Sequence, residues 1–227
     1  MSDSQYEKEY FRFLEAFIAD KEMSSYVIRG GAAIKILFQS ERLSQDFDFV
    51  YQPEFKKKPF DVVANAVHRI ADNLGLQLTI TRSEDKILIS PPKGIPFFEI
   101  VDKPALTTEI VLWKGKTVLV ETPEELLADK IALIALRPDG PYGNDIVDIA
   151  TILSSTKVKP IWKELFAKKY NANEIRSVLK DILGDVNALC EYCCPQIMNF
   201  VPGFDERTAR KLVESTVEKI KRLIDER

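Results

Sequence analysis

The segment Asp46-Phe47-Asp48-Phe49-Val50-Tyr51 constrains this chain more than any other. Its residues alternate with the period of two that marks an extended strand. Phe47, Phe49 and Tyr51 share one face, so Asp46 and Asp48 share the other, roughly 7 Å apart along the strand. Neighbouring carboxylates repel each other and are costly to take out of water. They can stay ionised on a cleft floor when cations hold them, and Mg²⁺ is commonly held by one or two carboxylates plus substrate phosphates. Two such ions can also activate an attacking oxygen and neutralise a leaving pyrophosphate. The acid pair therefore reads as a metal–nucleotide site.

The residues in front of it suit the same task. Tyr26-Val27-Ile28-Arg29 is a short strand running into Gly30-Gly31, and a short helix follows from about Ala32 to Phe38. A helix N-terminus offers backbone N–H groups and a positive dipole end to an anion, and glycine lets a phosphate approach the backbone closely. A Gly-Gly turn alone is weakly specific. Joined to an Asp-x-Asp strand by one helix and a loop holding Arg42 and Ser44, it is considerably more so.

The rest of the chain supplies a scaffold. Ser4-Gln5-Tyr6-Glu7 is a capping box for a helix bearing Tyr10, Phe13, Leu14, Phe17 and Ile18. Pro59 opens a helix with the stripe Val62, Val63, Ala66, Val67, Ile70 and Leu74, and Gly75 stops it. Extended segments are expected at 76–81, 86–90 and 97–101, then a hairpin 109–113/117–121 turning at Lys114-Gly115. Thr122-Pro123-Glu124-Glu125 starts another helix. Beyond Pro138-Asp139-Gly140-Pro141 the pattern is helical at 144–154, 160–169, 173–183, 184–194 and 205–226. The expected organisation is an α/β domain over 1–140 and a helical domain over 141–227.

Composition narrows the function classes. A hydrophobic share of 45% supports a core, and no run approaches the roughly 20 apolar residues of a membrane span. The acidic, polar N-terminus does not read as a signal peptide, so the cytoplasm is the expected compartment. The net charge of −3 argues against a generally basic nucleic-acid binder, yet residues 151–180 carry seven Lys/Arg against Glu164 and Glu174. His68 is expected to be a surface residue. Cys190, Cys193 and Cys194 are too clustered for a disulfide framework and read as reduced thiols on a helix.

"VIRGGAAIKILFQSERLSQDFDFVY" resembles the signature of the DNA polymerase β-type nucleotidyltransferase superfamily, and in particular the AbiEii-like toxin nucleotidyltransferases. "TPEELLADKIALIALRPDGPYGNDIVDIATIL" is a second segment similar to that family, which carries a helix with Asp-Lys followed by an Asp-x-x-Asp helix start. The resemblance implies an α+β fold, with a nucleotidyltransferase-type mixed sheet, flanking helices and a helical C-terminal domain. It implies Gly30 and Gly31 against the triphosphate, Asp46 and Asp48 as ligands of Mg²⁺ (Mn²⁺ as the alternative), and a third carboxylate on a neighbouring strand. Glu99 is the candidate, as readily a surface-facing residue, with Glu121 in reserve. Lys130, Arg42 and Ser44 are candidate phosphate contacts, or an ordinary snorkelling lysine and a loop salt bridge. Asp145 and Asp148, three apart on a helix, are expected to line the cleft from the second domain, although a helix start favours acids by itself.

Two departures stand out. Ala32 occupies a position where the superfamily often has serine, and Asn144 precedes Asp145 where related sequences often carry arginine. The activity implied is transfer of a nucleoside monophosphate from an NTP to an acceptor hydroxyl on RNA, a tRNA end included. It would act as a toxin with a cognate antitoxin, or in phage defence. Transfer to a small molecule or protein, a nucleotide-binding module without turnover, and a scaffold docking through 205–226 are the competing readings.

Overall fold

The aromatic face of the acid-bearing strand is where the fold is anchored. The structure is a computed structural model describing residues 12–40, 46–52, 58–90, 98–155 and 158–225. In it, helix α1 (12–19) sets Phe13 and Phe17 against strand residues Phe47, Phe49 and Phe98, all fully buried. The Phe49 and Phe98 rings stack at 5.4 Å, Phe13 meets Phe98 edge-on at 4.7 Å, and Phe17 lies 4.8 Å from Phe49. Burial of five aromatic rings, with offset and edge contacts between them, is among the strongest sources of cohesion a sheet face can have. The Ser4 capping box and Tyr10 lie outside the described residues.

Strands β1 (Tyr26–Arg29), β2 (Phe47–Tyr51), β3 (Thr79–Arg82), β4 (Lys86–Ser90), β5 (Phe98–Pro104), β6 (Thr108–Trp113) and β7 (Lys116–Glu121) form one sheet in the order β3-β4-β5-β2-β1-β7-β6. It is mixed: β1 pairs antiparallel with β2 and parallel with β7, while β2 and β5 run parallel. Opposite the aromatic face, Val27, Val50 and Ala105 form a small buried cluster flanked by Val101 and Leu119.

Local signals hold closely. Lys114 and Gly115 both have positive φ (48° and 76°), the geometry of a tight two-residue hairpin turn between β6 and β7. Gly75, at φ 68°, ends α3 (Phe60–Leu74). His68 is exposed. The Thr122 hydroxyl accepts from the Glu125 N–H at 3.4 Å to open α4 (Pro123–Leu136). Two strand edges shift: 76–81 becomes 79–82, and 97–101 extends to Pro104.

The described chain divides into two compact units, Met1–Ala33 with Ser44–Glu121, and Ile34–Leu43 with Thr122–Arg227. The division falls after Glu121, ahead of the expected boundary at 140. The reason is that α4 packs on α5 (Gly143–Ser155), α6 (Trp162–Lys169) and α7 (Ala172–Gly184). Leu126, Leu127, Ile131 and Ile134 of α4 are fully buried there. Helix α8 (Val186–Phe200) runs on past the expected end at 194, through Pro195, because Ile197 beyond it is buried. Helix α9 (Glu206–Asp225) buries the stripe Ala209, Val213, Thr216, Val217, Ile220 and Ile224 and packs on α8. Its heavily charged sequence is the outer face of a packed helix. Cys190, Cys193 and Cys194 are free thiols, all buried on α8.

Candidate active site

The acid face of the sheet carries one row of charged residues. In the pairing register Asp48 of β2 stands opposite Glu99 of β5 and, on its other side, opposite Arg29 of β1. Residues paired across strands project to the same face, so two carboxylates and a guanidinium lie side by side. Next along, the Arg29 Nε is 3.7 Å from Oε2 of Glu121 on β7, whose side chain is 1% exposed. At the other end, Lys86 Nζ holds Glu99 Oε1 at 3.2 Å. Arg29 and Lys86, which bracket the adjacent acids Asp48 and Glu99, offset the repulsion that the pair would otherwise suffer.

Helix α2 (Gly30–Phe38) begins at the glycine pair itself rather than after it. Gly30 has φ +63°, and a Cβ built on it would stand 2.9 Å from Oδ2 of Asp48. A side chain at position 30 would therefore collide with the carboxylate. The glycine is required twice, once for the left-handed backbone and once for the approach of Asp48 to the start of α2.

Asp46 stands ahead of β2, which begins at Phe47, and is exposed. Arg42 and Ser44 lie outside the described residues. Asp48, Glu99 and Gly30 are brought together on the first unit; Asp46 joins them by sequence, one position outside the strand. Among the described residues no group of three or more His, Cys, Asp or Glu side chains converges to hold a metal ion. The donor chemistry of Asp48 and Glu99, hard oxygens on adjacent strands, still suits a Mg²⁺ that completes its shell with substrate phosphates.

The second unit corrects the expectation for Lys130, Asp145 and Asp148. Lys130 Nζ lies 2.8 Å from Asp145 Oδ1 and 2.7 Å from Asp148 Oδ2, and Arg137 Nε lies 2.7 Å from Asp145 Oδ2. Both aspartates are 0% exposed. They do not present carboxylates to solvent from a helix start, because α4 and α5 close on each other and the carboxylates meet Lys130 of α4 and Arg137 just past its end. Burial by itself would raise the Asp145 pKa, but Lys130 and Arg137 outweigh it and hold the carboxyl below its ordinary range. A second ion cluster on α4 binds Lys169, whose Nζ is 2.7 Å from both Glu125 Oε1 and Asp129 Oδ1. This removes Lys169 from the basic stretch read at 151–180.

Sequence reasoning missed Arg29 and Lys86. Arg29 directly precedes the glycine pair and shares strand parity with Val27, a legible hint; Lys86 finds Glu99 only through the β4–β5 register.

A seven-stranded mixed sheet with a Gly-Gly helix start beside an acid-bearing strand is the architecture of a nucleotidyltransferase. The family model "Nucleotidyl transferase AbiEii toxin, Type IV TA system" matches residues 12–188, and the chain belongs to that family. Among solved structures, the chain is similar to JHP933 from Helicobacter pylori at TM-score 0.58 and 15% identity, covering 98% of this chain and 94% of that one. It is also similar to MenT4, a nucleotidyltransferase toxin of Mycobacterium tuberculosis, at TM-score 0.54 and 15% identity, covering 98% and 83%. At these identities both likenesses concern the fold. No curated protein matches the chain. No helix among the described residues is long and apolar enough to cross a membrane.

Proposed function

We propose that the protein transfers a nucleoside monophosphate from an NTP to a hydroxyl of RNA, with a tRNA end as the favoured acceptor, as the toxin of a pair whose antitoxin restrains it. The observation carrying this reading is the register that sets Glu99 beside Asp48, with the Asp48 carboxylate against Gly30. Asp48, Glu99 and Asp46 would hold Mg²⁺, which when bound neutralises charge on the transferring phosphoryl group. Gly30, Gly31 and the α2 N-terminus receive the triphosphate through backbone N–H groups. Arg29, fixed between Asp48 and Glu121, keeps the acid row in place. Glu99 would accept the proton of the attacking hydroxyl. Arg42 and Ser44 would serve as phosphate contacts, on the sequence pattern alone. Lys130, Asp145 and Asp148 act by shaping the second unit.

The burial of Asp145 and Asp148 speaks against an acidic rim for a cationic small-molecule acceptor. Exposed Lys159, Lys168 and Lys180 suit a phosphate backbone better. Incubating the protein with each α-labelled NTP, Mg²⁺ and total RNA tests the reading. Label should enter an RNA species with the wild type and not with Asp48→Asn or Glu99→Gln. Full transfer by Asp48→Asn would sink the assignment of the acid row, and label on protein or on a small molecule alone would sink the RNA acceptor.

A further inference from the structure

The two edges of the sheet are guarded very differently. β3 is a four-residue strand, Thr-Ile-Thr-Arg, whose exposed side chains are Thr79, Thr81 and Arg82. Short length and an outward charge are the usual means of stopping an edge from pairing with another chain. β6, at the opposite edge, has six residues in unbroken register with β7 from Thr108 to Trp113. It has no proline and no bulge, and its one charged residue is Glu109. Ile110 and Leu112 are 70% and 78% exposed, more than any other large apolar side chain among the described residues. Among those residues no strand lies beyond β6. An edge strand directs alternate N–H and C=O groups away from its one partner, and here an apolar pair stands next to them.

We propose that β6 is a self-pairing edge, joining two copies of this chain antiparallel about a two-fold axis at Val111. The strand's own sequence argues for a second copy over a foreign strand. With Val111 opposite Val111 of the other copy, Ile110 faces Leu112 on the same side of the joined sheet, and Leu112 faces Ile110. Each exposed apolar side chain is then covered by the other's equivalent, the cross-strand pairing that most stabilises sheets. On the reverse side Glu109 faces Trp113, so no like charges oppose each other. Centring the axis on Ile110 instead would set Leu112 against Thr108 and leave the apolar pair half matched.

Sedimentation velocity of the full chain over about 1 to 100 µM should show a concentration-dependent monomer–dimer equilibrium. The Ile110→Thr/Leu112→Thr variant keeps β-forming residues, so its circular dichroism should match wild type while its dissociation constant rises at least about tenfold. Independently, Val111→Cys should give a disulfide-linked dimer on mild oxidation, since only the residue on the axis meets itself across the strands. Thr81→Cys on the opposite edge should not, and the native thiols are buried. A protein that stays monomeric throughout, or a dimer that survives the double variant and is not trapped at position 111, overturns the proposal.

Discussion

Replacing Gly30 by alanine separates two roles that the same residue plays. At φ +63° an L-residue pays about 1–2 kcal/mol in backbone strain. For a chain of this size that corresponds to a fall in melting temperature of about 2–8 °C. The new methyl would also stand 2.9 Å from Asp48 Oδ2, closer than such contacts occur, so the carboxylate must turn away from the start of α2. A displacement of about 1 Å in a positioned catalytic group costs on the order of 100-fold in rate. Gly75→Ala supplies the control. Its φ is +68° and nothing lies within 4 Å of a Cβ there, so it carries the backbone cost without touching the acid row. Thermal denaturation should therefore rank the two variants together, while transfer of label from an α-labelled NTP should fall only in Gly30→Ala. If both variants retained similar activity, the contact between Gly30 and Asp48 would have no part in catalysis.

Lys130→Met should cost about 3–5 kcal/mol in urea unfolding, because it removes the ammonium shared by the buried Asp145 and Asp148. Asp145 is held below its ordinary pKa in the fold, so its stabilising contribution is complete above the usual carboxylate range. It is lost as the pH falls through the lowered folded value, and wild-type unfolding midpoints should drop steeply below about pH 4. A flat stability profile down to pH 2 would contradict the ion cluster. Burial pushes the Cys193 thiol up to about 12 and Cys194 up to about 11. A thiol-reactive dye at pH 8 should accordingly find no fast-reacting cysteine in the native protein and three after denaturation. Lys86→Met removes the ammonium 3.2 Å from Glu99, and the Mg²⁺ concentration needed for half-maximal transfer should fall severalfold. A rise would place Glu99 outside the metal site.

Much of the first unit was legible because its signals are local. Alternation in Phe47–Tyr51, the Lys114-Gly115 turn and the Gly75 stop each depend on residues within a few positions of one another, as does the Thr122 cap that opens the second unit. The family signature extended that reading to the glycine pair and the aspartates. The fate of Lys130, Asp145 and Asp148 was not legible in the same way. Their spacing is compatible with a cleft or with a core, and the choice depends on how α4 packs on α5. The division at Glu121 has the same origin: nothing near residue 122 in the sequence says which unit α4 will join.

The sequence by itself determined which residues alternate, where helices start and stop, and that Asp48 faces away from Phe47 and Phe49. Those outcomes follow from backbone stereochemistry and short-range hydrogen bonding. Only the tertiary structure decided that Glu99 lies beside Asp48, that Arg29 and Lys86 bracket the acids, and that the α5 aspartates are buried against cations. Strand register and helix packing join residues tens of positions apart. The free energy of those contacts comes from burying surface that no local stretch of chain can bury alone.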